Sequence, residues 1–132
     1  MRLPISTDRQ KYTHNNITMK PLADNFITTA RKVIEANYDN EEFGCLELCE
    51  ALFMSRSNVH RKVKNALNIS TSKFIMQVRL EKAREFLSQK DQSIASIAYQ
   101  VGFADANYFS RAFSTFYGVS PTQYRQTLLK IY

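Results

Sequence analysis

From residue 24 onward the apolar side chains recur at the three- and four-residue steps of one helix face. Phe26, Ile27, Ala30, Val33 and Ile34 form the first such stripe, with Asp24 as its expected N-cap and a break at residues 37–40. A short helix is expected near Cys45–Leu52, and a third from Ser55, a capping residue, to about Leu67. A longer helix, from about Thr71 to Ser88, places Phe74, Ile75, Val78, Leu80, Ala83, Phe86 and Leu87 on its apolar side and would be about 27 Å long. Ser93 caps a short helix, Ile94 to Val101, which Gly102 breaks. Asp105 caps the next, Gly118 ends it, and Ser120-Pro121 opens a last one. No segment has the alternation of a strand. Residues 1–20 lack any apolar rhythm and read as a disordered leader or linker remnant.

Two parts of the chain repeat. At an offset of 50, Val59 matches Phe109, Arg61 matches Arg111, Val63 matches Phe113, Ser70 matches Ser120 and Phe74 matches Tyr124. Upstream the offset is 49, pairing Leu48 with Ile97, Cys49 with Ala98 and Leu52 with Val101. Asn58 pairs with Asn107 if one residue slips, and with Tyr108 if not. Each copy reads as short helix, tight turn and capped second helix, the pattern of a helix-turn-helix. The fold expected is all-α, with about seven helices in two helix-turn-helix subdomains joined by a long linker helix. The boundaries expected are 21–71 for the first subdomain, 72–89 for the linker helix and 90–132 for the second.

Charge sharpens this picture. The 132 residues carry a net charge of +6. Residues 55–90 hold nine basic and two acidic side chains, whereas residues 1–54 are net −2. A concentrated positive field attracts polyanions, although a solvated helix face would look the same on charge alone. The major groove of duplex DNA is about 12 Å wide and accepts one helix, read by side chains near its N-terminus. Two such helices on one chain could enter successive groove turns about 34 Å apart, on the same side of the duplex.

Long ordered strings carry a family resemblance. VRLEKAREFL from Val78 to Leu87 is similar to a linker helix. SIASIAYQVGF from Ser93, NYFSRAF from Asn107 and YGVSPTQYR from Tyr117 are similar to a second-unit signature. Over residues 44–126 the chain resembles the AraC/XylS family of bacterial transcription regulators. SRSNVHRKVK from Ser55, with the helix before it, is more narrowly similar to the C-terminal domains of hybrid two-component regulators. That resemblance implies sequence-specific binding of double-stranded DNA as the output step of a longer, signal-responsive protein, with carbohydrate-use genes as targets. RNA polymerase and the receiver or sensor domains of the same longer chain are the further partners it implies. The isolated domain is expected to be monomeric and cytoplasmic.

The resemblance points Ser57, Asn58, His60 and Arg61 at the bases from the first unit, and Ala106, Asn107, Ser110 and Arg111 from the second. Arg pairs with guanine, Asn with adenine, and Ala offers a methyl contact to thymine. Arg61 could equally contact phosphate, and Asn107 could be a local cap. Lys62, Lys64, Lys73 and Arg79 are expected at phosphates or in solvent. Ser70, Thr71, Ser120 and Tyr124 lie at helix N-termini that would face the backbone. Two departures from the family pattern stand out. Phe53 occupies the turn position that Gly102 fills in the second copy, where a positive φ would strain a bulky residue and change the shape of the turn. Asn68 and Thr71 replace the counterparts of Gly118 and Pro121. Both departures weaken the first unit as a reader.

Other chemistry finds little footing. Cys45 and Cys49 lack further ligands at metal spacing and read as buried thiols. Phe103, Phe109, Phe113 and Phe116 read as core, and Tyr117 and Tyr124 as anchors of the final helix. No phosphate loop, catalytic triad or carboxylate pair stands out, so no enzyme, metal or cofactor is expected. The alternative reading is a basic helical adaptor that meets an acidic protein partner without reading DNA.

Overall fold

A computed structural model describes residues 22–131, with side chains from 25 to 129. The leader assigned to residues 1–20 lies outside the described residues. Seven helices follow: α1 (Leu22–Glu35), α2 (Cys45–Leu52), α3 (Arg56–Leu67), α4 (Thr71–Phe86), α5 (Ile94–Gln100), α6 (Ala106–Tyr117) and α7 (Pro121–Ile131). No strand occurs among the described residues. Asp24 sits inside the first turn of α1 rather than ahead of it, because the helix begins at Leu22. α4 ends at Phe86, so its 16 residues span about 24 Å, slightly less than the sequence pattern suggests.

The chain divides into two compact units. Residues up to Ala36 and Gly44–Phe74 form one; Asn37–Phe43 and Ile75 onward form the other. In the first unit, α1 packs on both α2 and α3. Ala30, Ile34, Leu48, Cys49, Leu52, Val59, Val63 and Phe74 are buried. In the second, Leu80, Ala83, Leu87, Ile97, Ala98, Val101, Phe103, Phe109 and Phe113 form one core. An aromatic row continues it, with Phe113 against both Tyr117 (4.7 Å between centroids) and Tyr124 (5.9 Å). Tyr117 also stacks on Tyr124 at 6.4 Å, so both tyrosines join α7 to α6. Phe116 departs from expectation: it stands 39% exposed, with its ring 4.7 Å from that of Tyr117.

The repeat holds at the level of backbone hydrogen bonds. α2 ends with Phe53 N–H donating to Glu50 C=O and Met54 N–H to Cys49 C=O. α5 ends with Gly102 donating to Tyr99 and Phe103 to Ala98, the same pair of bonds 49 residues later. The second helices match at 50. Ser55 Oγ accepts from Asn58 N–H at 3.2 Å, and Asp105 Oδ1 from Tyr108 N–H at 3.4 Å. Asn68 (φ 61°) and Gly118 (φ 83°) close the two helices in the left-handed region. The extra residue of the second copy is therefore Ala104, in its turn, and Asn58 corresponds to Tyr108, not Asn107.

The expected change of shape at Phe53 does not occur. Phe53 adopts φ 56°, ψ 42°, keeps both turn bonds and projects its ring into solvent, 74% exposed. The turn keeps its geometry and carries the left-handed cost, about 1–2 kcal/mol. Gly102 answers to a second constraint. Beyond its φ of 94°, a Cβ there would press into the Tyr38 carbonyl oxygen and lie 2.8 Å from Arg79 Nε. Arg79 is what holds that carbonyl in place: Nε donates to Tyr38 C=O (3.2 Å), and Nη2 to Asn40 C=O (2.9 Å) and Phe43 C=O (2.8 Å). Segment 37–43 is thereby fastened onto the second unit.

Candidate nucleic-acid interface

The tip of α3 is built by its cap. Ser55 satisfies the Asn58 amide, which leaves Arg56, Ser57 and Arg61 exposed along the first two turns. Asn58 is half-buried, and its Oδ1 accepts from Arg61 Nη2. His60 is also half-buried; its Nδ1 lies 2.9 Å from Thr71 Oγ1. Only the Nε2 edge of that ring remains for a base. α3 carries Arg56, Arg61, Lys62 and Lys64 and no acidic residue. Its own side chains therefore sum to a charge of +4.

The tip of α6 is built the same way. Asp105 Oδ1 accepts from Asn107 N–H (2.8 Å) as well as Tyr108 N–H. Asn107 and Arg111 are exposed, and Ala106 and Ser110 half-exposed. The Asn107 amide is capped by Asp105, so its own side chain is not the cap. The Arg111 guanidinium lies over the Tyr108 ring, 5.9 Å from its centroid. The Tyr108 hydroxyl donates to Met76 Sδ at 3.4 Å, and the ring stands 5.9 Å from Phe103. Arg111 is the only charge on α6.

The phosphate candidates divide. Lys64 and Lys73 are exposed and in no ion pair among the described residues. Lys62 is half-buried with Nζ 5.7 Å over the Phe26 ring of α1. Ser70 Oγ caps α4 by accepting from Lys73 N–H at 3.1 Å. Ser120 and Gln123 form a reciprocal box: Ser120 Oγ accepts from Gln123 N–H and Gln123 Oε1 from Ser120 N–H, each at 3.1 Å. The half-buried Tyr124 ring belongs to the aromatic row, beside Phe113 and Tyr117.

Two of the phosphate candidates have side chains engaged by partners inside the fold. Thr71 is fully buried, and its hydroxyl faces His60, because a buried hydroxyl needs a partner inside the fold. Arg79 is turned onto three backbone carbonyls. Burial pulls its guanidinium below the ordinary arginine value, against the upward pull of Glu41. Arg56 and Tyr108 were not singled out from the sequence. The offset of 50, applied strictly, would have found them as the partners of Ala106 and Asn58. Arg125 was missed as well: it fastens the end of α4 through Leu87 C=O (2.9 Å) and Gln89 C=O (3.0 Å).

Both cysteines are free, Cys49 buried and Cys45 half-buried. Burial, with Cys45 beside it, raises the Cys49 thiol above its ordinary value, outweighing Arg56. Among the described residues no helix is long and apolar enough to cross a membrane.

Known proteins share this arrangement. A family model described as a helix-turn-helix domain matches residues 48–127. Histidine kinase P4 of Formosa agariphila is 32% identical over 126 residues, covering 95% of this chain and 9% of that protein. The raffinose operon transcriptional regulatory protein RafR of Pediococcus pentosaceus is 38% identical over 92 residues, covering 68% of this chain and 33% of that protein. The chain thus spans a third or less of the length of these relatives. Among solved structures, the C-terminal domain of AraT, a response regulator from Geobacillus stearothermophilus, is 35% identical with a TM-score of 0.69, over 76% of this chain and 84% of that one. With its family model covering both repeated units, the chain belongs to the AraC-type helix-turn-helix domains of transcription regulators.

Proposed function

We propose that this domain binds double-stranded DNA in a sequence-specific way and regulates transcription as the output end of a longer, signal-responsive protein. The observation that carries the reading is the repeated frame. Two capped helices, closed by the same turn bonds, each present an exposed arginine at the same register, Arg61 and Arg111. Ser57, Asn58, Asn107 and Ser110, with Arg56 and Tyr108, complete the base-facing sets; His60 and Ala106 contribute one edge and one methyl. Lys62, Lys64, Lys73 and the N-termini of α4 and α7 at Ser70 and Ser120 supply the phosphate contacts. The likeness to a histidine kinase and to a response regulator's C-terminal domain supports a two-component role. The domain acts by binding rather than catalysis, beside the chromosome in the cytoplasm.

Selection of bound sites from a random duplex pool tests this, and two half-motifs are expected. Arg111→Ala weakens binding to the selected site by about 1–3 kcal/mol and relaxes selectivity at one position. Affinity falls steeply with added salt. Equal affinity for selected and scrambled duplexes refutes the reading. A protein-docking role is favoured by one observation, the exposure of Leu46 (57%) and Phe53 on the first unit. Absence of any gel shift at low salt would leave that role standing alone.

A further inference from the structure

The side chains at the tip of α3 do not stand independently. Arginine has only donors, so the Asn58 atom that meets Arg61 Nη2 must be the carbonyl oxygen. That contact fixes the orientation of the amide. Nδ2, with two donors, faces away from Arg61, and the guanidinium keeps its remaining N–H groups. Nothing else on α3 offsets this, since the helix carries no Asp or Glu.

Taking DNA reading as given, we infer that Asn58 and Arg61 form one composite reader that presents donors and selects a guanine, rather than Asn58 reading adenine by itself. In the major groove guanine shows two acceptors, N7 and O6, whereas adenine shows the N7 acceptor beside the N6 amino donor. The usual Asn–adenine pair requires Oδ1 to accept from that amino group. Here Oδ1 already accepts from a cation. Its second lone pair could reach adenine N6 only by bringing the amino hydrogens beside the guanidinium, donor against donor. Guanine meets the same two side chains with acceptors alone. The second unit holds its arginine differently. Tyr108, at the register of Asn58, supports Arg111 with its ring face and takes up none of its N–H groups. The two arginines are thus steadied by the residue three positions earlier, by a hydrogen bond in one unit and by a ring in the other. Only in the first does that residue add donors of its own.

The experiment uses the whole chain and duplexes selected from a random pool. Asn58→Ala and Arg61→Ala are each expected to lose about tenfold in affinity, both at the same base pair, and that pair is to hold a guanine. The double variant loses little more than Arg61→Ala alone. Replacing that guanine with 7-deazaguanine, which lacks the N7 acceptor, weakens the unaltered protein and leaves Arg61→Ala nearly unaffected. Inosine, which keeps N7 and O6, binds as guanine does. Asn58 and Arg61 mapping to different base pairs, additive losses, or an adenine at the Asn58 position would overturn the composite reader while leaving DNA reading intact. Failure of the unaltered protein to select any duplex would overturn DNA reading and the composite reader with it. Circular dichroism of each variant separates lost contacts from lost folding.

Discussion

Gly102→Ala isolates the constraint at the centre of the second unit. Two costs arise there. A left-handed Ala costs about 1–2 kcal/mol, offset by roughly 0.4–1 kcal/mol because Ala narrows the unfolded ensemble. The added methyl also collides with the Tyr38 carbonyl and Arg79 Nε, neither free to retreat while Arg79 holds segment 37–43. Such overpacking adds about 1–3 kcal/mol. Gly118→Ala supplies the control. Its φ is 83°, in the same unit, but a Cβ there meets nothing within 4 Å. Only the backbone cost applies, a net loss of about 0.5–1 kcal/mol. Urea unfolding followed by helical circular dichroism compares the two. With a slope of about 1–3 kcal/mol/M, Gly102→Ala should lower the midpoint by on the order of 1–2 M and Gly118→Ala by less than about half that. Equal shifts would refute the claim that a carbonyl and a guanidinium crowd the turn.

Arg79→Ala should destabilise the second unit by about 2–4 kcal/mol in the same assay, and Arg79→Lys should recover only part of this, since an ammonium cannot span three carbonyls. If instead Arg79→Ala leaves stability unchanged and weakens DNA binding, Arg79 is a phosphate contact after all. Phe53→Gly should stabilise the first unit by roughly 0.5–1 kcal/mol: it removes left-handed strain from a ring that buries little, against the entropy glycine adds to the unfolded chain. A clear loss of stability would show that the ring is packed. At mildly alkaline pH a thiol reagent should label Cys45 before Cys49, whose thiol is buried with its ionisation suppressed. The Cys49 contribution to stability is full below the ordinary thiol value of 9.0 and is lost as pH rises through the higher folded value, so titrating Cys49→Ala against the unaltered chain reveals its sign.

The helices were legible because their signals are local. Ser55, Ser93 and Asp105 each cap the helix that the apolar rhythm predicts, and Asn68 and Gly118 end theirs in the left-handed region. The repeat was legible in residue types, but the register of its second half was not. Asn58 matches Tyr108 because Ala104 lengthens one turn, and only the capping bonds of Ser55 and Asp105 reveal it.

The sequence by itself determined seven helices, a duplicated unit and a positive middle third. Tertiary structure decided which cations face outward. Arg61 and Arg79 look alike as letters on basic, amphipathic helices, yet one is exposed and the other is fastened to carbonyls some 40 positions earlier in the chain. Helix periodicity reports only neighbours three and four residues away. The fate of a long side chain depends on which distant backbone groups folding leaves without a donor, and those are known only once the chain has closed on itself.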